Sequence, residues 1–411
     1  MQQNKTNIVT LLTLFMVIIL DIMGIILVFP VLTPLILQTS SSILPADTPL
    51  VWRDFLYGFI LALFPLFMFF STPVLGDLSD KFGRKKILLI CLIGSAASYF
   101  VSAYGIAVNS IFLLAAGRAI AGLAAGTQPI ASAAIIDIST PETKTKHLSW
   151  IVLACSVGLV LGPLLGGLTA EKNIAAGFGY QTPFIVAGSL SLINAVFLFF
   201  TYKETFVLQA KQKLYLLKGF ILFLTAFSNS KFRLISFAFF CMLLAWSLYF
   251  QGIGWFFMQN FQYGVGKLGL FNGYIGVVFV LAITIVGRVA LKWFSRDINA
   301  FLFFVFLMMI ANLGSALSQG ELPQWLWVIL NATCDSICYT VALTLFSGLA
   351  DDESQGWIMG VVGAINAVTW TVGGMIIGPL GYMNIYVPFW AAAFLSLLSF
   401  VMMIIYRRLH K

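Results

Sequence analysis

Charged residues are scarce along this chain, and several features on which soluble enzymes and nucleic-acid-binding proteins depend are missing. Only 9% of the 411 residues are charged, whereas 60% are hydrophobic, and these proportions exclude an ordinary soluble globular protein. No loop of the Gly-x-x-x-x-Gly-Lys-Ser type is present, which argues against ATP hydrolysis by this chain. The net charge of +8 comes from basic residues spread over short polar segments, so nucleic acid is not an expected partner.

Cysteine and histidine are also rare. The five cysteines all lie in apolar stretches, where thiols pack as small apolar groups: Cys91, Cys155, Cys241, Cys334 and Cys338. Cys334 and Cys338 share a helix face, but two thiols without further ligands make a poor metal site. Neither a metal-binding cluster nor a nucleophile elbow is present in the sequence. We therefore expect no metal, no other cofactor and no enzymatic activity, and a membrane-embedded enzyme is only a remote alternative.

Apolar segments of about 20 residues, the length that a helix needs to cross a bilayer, recur along the whole chain. Twelve such spans are residues 8–37, 55–74, 87–106, 111–136, 148–170, 183–201, 233–258, 269–291, 298–317, 323–349, 355–380 and 386–406. The first is too long for the core of a signal peptide and is expected to remain as a membrane helix. The pattern predicts an all-α polytopic membrane protein with twelve transmembrane helices.

The longest polar connection divides these spans into two groups of six. We predict an N-terminal six-helix bundle at 1–201, a cytoplasmic linker at 202–232 and a C-terminal six-helix bundle at 233–411. Within the linker, residues 214–227 are apolar but too few to cross a bilayer, and we predict an interfacial helix there. Nineteen of the 23 Lys and Arg fall in segments on the side of the N-terminus, which places both termini in the cytoplasm.

A segment with charges and glycines, residues 76–86 with the sequence GDLSDKFGRKK, lies between spans 2 and 3. We predict a tight turn here at the membrane surface, and its four basic residues place that turn in the cytoplasm. Asp80 precedes Arg84 by four residues, the spacing for an ion pair, and Gly76 and Gly83 suit close approach of neighbouring segments. A turn that serves only to orient the chain in the membrane needs the positive charges but neither the aspartates nor the glycines.

This segment resembles the signature between helices 2 and 3 of the major facilitator superfamily, where it holds the two halves of a transporter together on the cytoplasmic side. The resemblance covers nearly the whole chain and implies two pseudo-symmetric six-helix bundles with the substrate site between them. It also implies that Asp137, in the segment IDISTPE, is the partner of Arg84. Gly76, Asp80, Gly83, Arg84 and Asp137 are therefore expected to form a cytoplasmic gate.

Asp21 and Arg118 are ionisable residues inside predicted spans, where a charge costs about 3 kcal/mol or more unless it faces protein or water. The segment LDIMGIILVFP around Asp21 resembles helix 1 of the superfamily's tetracycline-efflux pumps, and GRAIAGLAAG around Arg118 resembles helix 4 of its proton-coupled members. A fixed positive charge near a carboxylate lets conformation tune protonation, so the resemblance implies a proton-coupling pair. A structural ion pair, or an Asp21 satisfied by neighbouring backbone and hydroxyl groups, is the alternative.

Span 5 carries small residues at regular spacing: Gly158, Gly162, Pro163, Gly166 and Gly167. Glycines four residues apart share one helix face and allow a neighbouring helix to pack closely. Generic packing explains any one such pair, but the added Gly-Pro and Gly-Gly resemble the motif associated with antiporters of the superfamily. We expect this motif to seal the junction between the two halves against proton leakage.

Polar and aromatic residues of spans 7, 10 and 11 are the candidates for substrate binding. They are Asn331, Asp335, Trp246, Tyr249, Asn366 and Trp370. Asn331 and Asp335 are one helical turn apart, as are Asn366 and Trp370, although ordinary packing explains most aromatic residues in membranes. The tetracycline pumps carry a histidine in helix 8, and span 8 has none, so the resemblance does not extend to tetracycline as the substrate.

The function expected from these features is proton-coupled export of a small amphipathic compound, a drug, a metabolite or a siderophore-like molecule, by alternating access. The proton gradient is the expected energy source. The alternative is proton-coupled import of a nutrient such as an amino acid or an iron chelate, because uptake and export share the scaffold. The expected partners are the small-molecule substrate, protons and the lipids of a bacterial inner membrane, and the chain is expected to act as a monomer.

Overall fold

The twelve predicted spans are all present as helical segments. The computed structural model describes residues 8–204, 217–349 and 355–409, and these residues contain no β-strand. The segments that are long and apolar enough to cross a membrane are Ile8–Leu37, Leu50–Phe82, Arg84–Ala107, Ile111–Asp137, Glu142–Ala170, Thr182–Thr201, Arg233–Phe261, Val265–Trp293, Asp297–Leu317, Glu321–Ser347, Gly356–Met383 and Val387–Leu409. The prediction of an all-α protein with twelve spans is confirmed, and the chain is a multi-pass membrane protein.

Three of the spans are interrupted, and the helices are therefore more numerous than the spans. In chain order they are α1 (Ile8–Ile26), α2 (Val28–Leu37), α3 (Leu50–Phe82), α4 (Arg84–Ala107), α5 (Ile111–Leu123), α6 (Thr127–Asp137), α7 (Pro141–Ala170), α8 (Thr182–Thr201), α9 (Lys218–Ser228), α10 (Arg233–Phe261), α11 (Val265–Leu281), α12 (Gly287–Ala290), α13 (Asp297–Leu317), α14 (Glu321–Ser347), α15 (Gln355–Met383) and α16 (Val387–Leu409). A π-helical segment, Ala282–Val286, joins α11 to α12.

The charged segment between spans 2 and 3 is helical over most of its length, and the prediction of a tight turn at residues 76–86 is wrong. Helix α3 continues to Phe82, and α4 begins at Arg84. No proline interrupts this part of α3, and its charged side chains leave the backbone ladder intact, with the Gly83 amide donating to the Ser79 carbonyl at 3.0 Å. The single interruption is Gly83, whose φ of +100° favours glycine.

Proline explains the break in the fourth span, between α5 and α6. Pro129 lies in the first turn of α6, where a proline is tolerated, but it has no amide hydrogen to donate to the Ala125 carbonyl. Two hydroxyl groups of α3 donate to the carbonyls at this break, Thr72 to Ala125 and Ser71 to Gly122, both at 2.7 Å. Broken helices are stable at membrane depth only when the released backbone groups find such partners.

A similar interruption ends α1. Pro30 has no amide hydrogen for the carbonyl of Ile26, and the helix breaks at Leu27, whose own amide still donates to Met23 at 2.9 Å. Helix α1 lies in the apolar core that it shares with α4, α6, α7 and α8, and Leu14 is fully buried there. Asp21, near the end of α1, is thereby held inside the bundle.

The Cα positions group into two compact units. The first contains the described residues of Met1–Ala46, Leu66–Lys218 and Gly264–Gly273, and the second contains those of Asp47–Pro65, Gly219–Tyr263 and Tyr274–Lys411. The first part of α3 thus belongs to the second unit, and the first part of α11 belongs to the first. The division into bundles at 1–201 and 233–411 stays a prediction.

The linker predicted at 202–232 contains the helix α9. Residues 205–216 lie outside the described part of the chain, so only the later part of the predicted interfacial helix, from Lys218 onward, can be compared. Gly219, Leu222 and Ala226 form the buried side of α9. Its location at the membrane surface stays a prediction.

Candidate functional site

Asp21 lies against the N-terminus of the broken helix α6. Its Oδ1 accepts a hydrogen bond from the Thr127 hydroxyl, and its carboxylate also accepts one from the Gln128 amide. Both donors belong to the first turn of α6, where amides without helical partners and the helix dipole favour a negative charge. The side chain of Asp21 is partly exposed. The break in span 4 therefore creates a site for a titratable carboxylate inside the membrane.

Tyr99 of α4 is close to both members of the predicted proton-coupling pair. The charges of Asp21 and Arg118 both act on its hydroxyl, and Arg118 is only 3% exposed. A Cβ added to Gly24 would lie 1.6 Å from the Tyr99 hydroxyl oxygen, so the ring can reach α1 only because residue 24 is glycine. Tyr99 was not predicted as a functional residue, since a tyrosine inside an apolar span carries no distinguishing sequence pattern.

The glycines of span 5 pack against α1 on both sides of Asp21. An added Cβ would lie 2.4–2.7 Å from a backbone oxygen at three positions: Gly158 against Ile19, Gly162 against Met23 and Gly166 against Leu27. Both the glycines and the oxygens recur every four residues, so one face of α7 matches one face of α1. The prediction of close packing is confirmed. These three glycines face the first span, which lies in the same predicted bundle, and the expectation that the motif seals the junction between the halves stays a prediction.

Gly167 and Pro163 meet a different helix. An added Cβ on Gly167 would lie 2.5 Å from the Gly269 Cα, and one on Gly269 would lie 2.7 Å from the Pro163 carbonyl oxygen. Gly269 lies in α11, in the part that belongs to the first unit. Within the antiporter-like motif, these two residues are therefore the ones that meet a span of the predicted C-terminal bundle.

The second unit contains another close helix pair, between α3 and α15. A Cβ added to Gly378 would lie 2.1 Å from the Asp54 carbonyl oxygen, and one added to Gly58 would lie 2.3 Å from the Gly374 carbonyl oxygen. Arg53 and Asp54 are buried, at 0% and 7% exposed, although the sequence analysis placed both before the start of span 2. Two charged residues were thus missed because α3 begins earlier than its apolar core.

The predicted members of the cytoplasmic gate lie together in the first unit. Arg84 Nε forms an ion pair with Asp137 Oδ2, and Arg84 Nη2 lies 3.7 Å from Asp80 Oδ1. The Arg84 side chain is only 9% exposed, whereas Asp80 is 31% exposed, so the cluster sits between protein and solvent. A Cβ added to Gly76 would meet nothing within 4 Å, and the close approach expected there is not observed. The role of these residues as a gate stays a prediction.

Two residues outside the sequence motif complete this charged region. Glu204 Oε2 accepts a hydrogen bond from the Lys85 amide at 2.9 Å, which caps the start of α4, and an added Cβ on Gly83 would lie 2.6 Å from the same oxygen. Lys218 Nζ, at the start of α9, lies 2.6 Å from Asp77 Oδ1. Lys218 lies within the apolar residues 214–227 of the linker, and no sequence pattern predicted its pairing with Asp77.

Replacing Arg84 by alanine is expected to raise the population that is open to the cytoplasm, because the change removes the partner of both Asp80 and Asp137. A coupling free energy of about 1–3 kcal/mol corresponds to a shift of about 5- to 150-fold. The measurement is the labelling rate of a cysteine at Ser132 by a reagent added on the cytoplasmic side, in a chain without other cysteines.

Lys86→Ala is the matched control for this experiment, since it removes an exposed positive charge from the same segment without breaking either pair. Its labelling rate should equal that of the parent. Unchanged labelling in both Arg84→Ala and Asp80→Asn would leave the segment with a purely topogenic role.

Four of the six candidate substrate residues lie near one another in the second unit. The rings of Trp246 and Tyr249 are 5.9 Å apart, and the ring of Phe250 is 5.7 Å from Trp246 and 5.9 Å from Trp370. Asn366, one turn before Trp370 on α15, is partly exposed. Phe250 joins the two helices of this aromatic cluster.

The other two candidates, Asn331 and Asp335, are buried within the same unit. Asn331 is 0% exposed and Asp335 is 4% exposed, and Asn331 Nδ2 donates to Asn312 Oδ1 at 2.7 Å. Tyr249 is also fully buried, and its hydroxyl accepts a hydrogen bond from Ser315 at 3.4 Å. The substrate roles of all six residues stay predictions.

Comparison with known proteins identifies relatives along nearly the whole chain. The family model described as Major Facilitator Superfamily matches residues 14–373. The tetracycline resistance protein, class H, of Pasteurella multocida is 27% identical over 94% of this chain and 91% of its own length, and the class B protein of Escherichia coli is 26% identical over 94% and 90%. The crystal structure of a D-xylose-proton symporter matches the fold with a TM-score of 0.72 at 13% identity, covering 96% of each chain.

Proposed function

The chain belongs to the major facilitator superfamily and is a membrane transporter rather than an enzyme, and from this premise we propose that it is a proton-coupled antiporter that exports a small amphipathic compound. The observation that carries the proposal is the position of Asp21, a partly exposed carboxyl at the N-terminus of a broken membrane helix, with Tyr99 close to both Asp21 and Arg118. Ionisable groups inside membrane spans are expensive, and they mark ion and proton pathways.

The proposed coupling step is the loss and gain of a proton at Asp21. In the ionised state, the hydrogen bonds from Thr127 and the Gln128 amide hold α1 against the start of α6. Protonation removes the charge that these donors and the helix dipole stabilise, so the attachment weakens. Because the glycines of α7 pack directly on α1, a movement of α1 is transmitted to α7. The titration of one carboxyl thereby biases the conformation of the bundle.

The aromatic cluster of Trp246, Phe250 and Trp370 supports a substrate with a flat, largely apolar body. Aromatic rings provide large contact areas with a defined stacking geometry, and binding sites for small molecules combine such surfaces with a few polar groups. Asn366 supplies a polar group on the same helix as Trp370. Two relatives are named as tetracycline resistance proteins, but the missing histidine in span 8 argues for a different compound of this amphipathic class.

Proton-coupled import of a nutrient is the second candidate function. The fold is compatible with it, because a D-xylose-proton symporter has the same fold. The antiporter-like motif of α7 favours export. For either direction we propose that the chain works as a monomer in a bacterial inner membrane with both termini in the cytoplasm, driven by the proton gradient without a further cofactor.

Addition of a transported compound to proteoliposomes is expected to move protons in the direction opposite to the compound. The protein is reconstituted at full length with a pH-sensitive dye in the lumen, and compounds are first selected from a broad amphipathic panel by thermal shift of the purified protein. Protein-free liposomes treated with the same compound are the control. Protons and compound moving in the same direction would replace the antiport proposal with the importer.

A further inference from the structure

A row of buried polar side chains crosses three helices of the second unit. Asn331 Nδ2 on α14 donates to Asn312 Oδ1 on α13 at 2.7 Å, and Asn312 Nδ2 donates to Ser396 Oγ on α16 at 3.1 Å. The Ser396 hydroxyl in turn donates to the Ala392 carbonyl at 2.8 Å. Asn331, Asn312 and Ser396 are all 0% exposed, and Asp335 at the α14 end of this row is 4% exposed.

Two oxygens at this end have no hydrogen-bond donor among the described residues. They are Asn331 Oδ1 and Asp335 Oδ1, and they belong to residues one helical turn apart on the same face of α14. A buried acceptor without a donor costs about 1–3 kcal/mol, and an unpaired buried carboxylate costs far more. Two buried acceptors on one turn of α14 thus both lack a donor among the described residues.

Among the described residues, no neighbouring charge compensates a carboxylate at Asp335. Burial, which disfavours the charged form, is the one influence on the Asp335 carboxyl in the described part of the chain. The titratable groups beside it on α14 are Cys334, Cys338 and Tyr339. The π-helical segment packed against α14 carries no ionisable side chain, and the one in α12, Arg288, is exposed. The others on elements packed against α14 are Asp297 in α13, Arg233, Cys241 and Tyr249 in α10, and Tyr382 in α15. Asp297 lies in the first turn of α13, Arg233 is the first residue of α10, and Tyr382 is near the end of α15, so these three occupy helix ends.

We propose that Asp335 carries a proton as a neutral carboxylic acid, donates it in a hydrogen bond to Asn331 Oδ1 directly or through one water, and is a second proton-binding group of this transporter. A carboxylic acid has one O–H donor, which is the group that the two oxygens lack. The same proton removes the charge that the surroundings leave uncompensated. Asn312, itself bonded to Ser396, accepts from the Asn331 amide nitrogen, which leaves Asn331 Oδ1 as the acceptor for this proton.

This inference deepens the proposed function and rests on it only for the use of the proton in transport, because the presence of the proton is a separate matter. In this scheme Asp21 is the proton-binding group of the first unit, and Asp335 is the proton-binding group of the second. Asp335 is also one of the predicted substrate residues, and the two roles differ in an observable way. A substrate ligand acts through contact with the compound, whereas a proton site keeps its proton in the absence of any compound.

Infrared spectroscopy of the full-length protein in lipid nanodiscs tests the bound proton, since the carbonyl stretch of a protonated carboxyl is distinct and shifts in D2O. At neutral pH, in an Asp21→Asn background, we expect a band of this kind that is lost in Asp335→Asn. Asp297→Asn is the matched control, because it removes an acid from the end of the packed helix α13, and it should keep the band. Asp335→Glu should keep a band at a shifted frequency, which separates loss of the proton site from misfolding.

A spectrum unchanged by Asp335→Asn would show that Asp335 is ionised and would overturn the proposal. In proteoliposomes with a transported compound, we expect Asp335→Asn to lower the number of protons moved per molecule by one. If the number of protons moved per molecule is unchanged in Asp335→Asn and only the range of transported compounds is altered, the proposed part of Asp335 in coupling is overturned. The infrared measurement uses no substrate and no gradient, so a failure of the antiport proposal leaves its result interpretable.

Discussion

Asp21→Asn is expected to abolish proton-driven transport and to leave the fold intact. Asparagine has the shape of aspartate and keeps an oxygen that accepts hydrogen bonds from Thr127 and the Gln128 amide, but it cannot titrate. Loss of a group that transfers protons costs about 100-fold or more in rate, so gradient-driven flux should fall to the level of protein-free vesicles. The measurement is compound movement in vesicles with an imposed pH gradient, together with the melting temperature of the purified protein.

Two variants serve as controls for this result. Asp297→Asn removes an exposed acid at the start of α13 and should transport as the parent does. Thr127→Val removes a hydrogen-bond donor to Asp21 but keeps the carboxyl, so it should change the pH dependence of transport without abolishing it. Gradient-driven flux at the parental level in Asp21→Asn would remove Asp21 from the coupling step.

Gly162→Leu is expected to insert into the membrane but to lose coupled transport. A single added carbon at residue 162 would lie 2.6 Å from the Met23 carbonyl oxygen, and a leucine adds three more, so α7 and α1 must separate. Overpacking of this kind costs about 1–3 kcal/mol and occasionally more. Since Met23 is two residues from Asp21, the separation also moves the carboxyl away from the start of α6. Export and passive proton leakage are both read with the luminal pH dye.

Gly363→Leu provides the matched control for the substitution in α7. It places the same side chain on a membrane helix at a glycine where an added Cβ meets nothing within 4 Å, so transport and proton tightness should be retained. Parental export by Gly162→Leu without leakage would show that the contact between α7 and α1 is dispensable.

The features that could be read from the sequence are those that depend on near neighbours in the chain. Twelve spans were predicted and are present, because the bilayer sets a length requirement that each apolar segment meets by itself. The proximity of Asp80 and Arg84 follows from their spacing of four residues on a helical turn. The close packing of Gly158, Gly162 and Gly166 also follows from spacing, although the identity of the helix that they face does not.

The charged segment at residues 76–86 shows how a local pattern can mislead. Charges and glycines at the end of an apolar run are typical of a turn, but nothing between Gly76 and Phe82 removes a backbone hydrogen bond, and the helix continues. Only Gly83 adopts a conformation that ends it. Beside Gly83 lies Glu204, a residue more than a hundred positions later that caps the following helix.

The sequence by itself determined the class of protein, its spans and the presence of an acid inside the first of them. Only the tertiary structure decided what that acid faces. The partners of Asp21 are an amide and a hydroxyl at a helix start created by Pro129, with Tyr99 reaching α1 through the space left by Gly24. A backbone amide is the same at every residue other than proline, and it becomes a ligand only where a break in one helix meets a carboxyl of another.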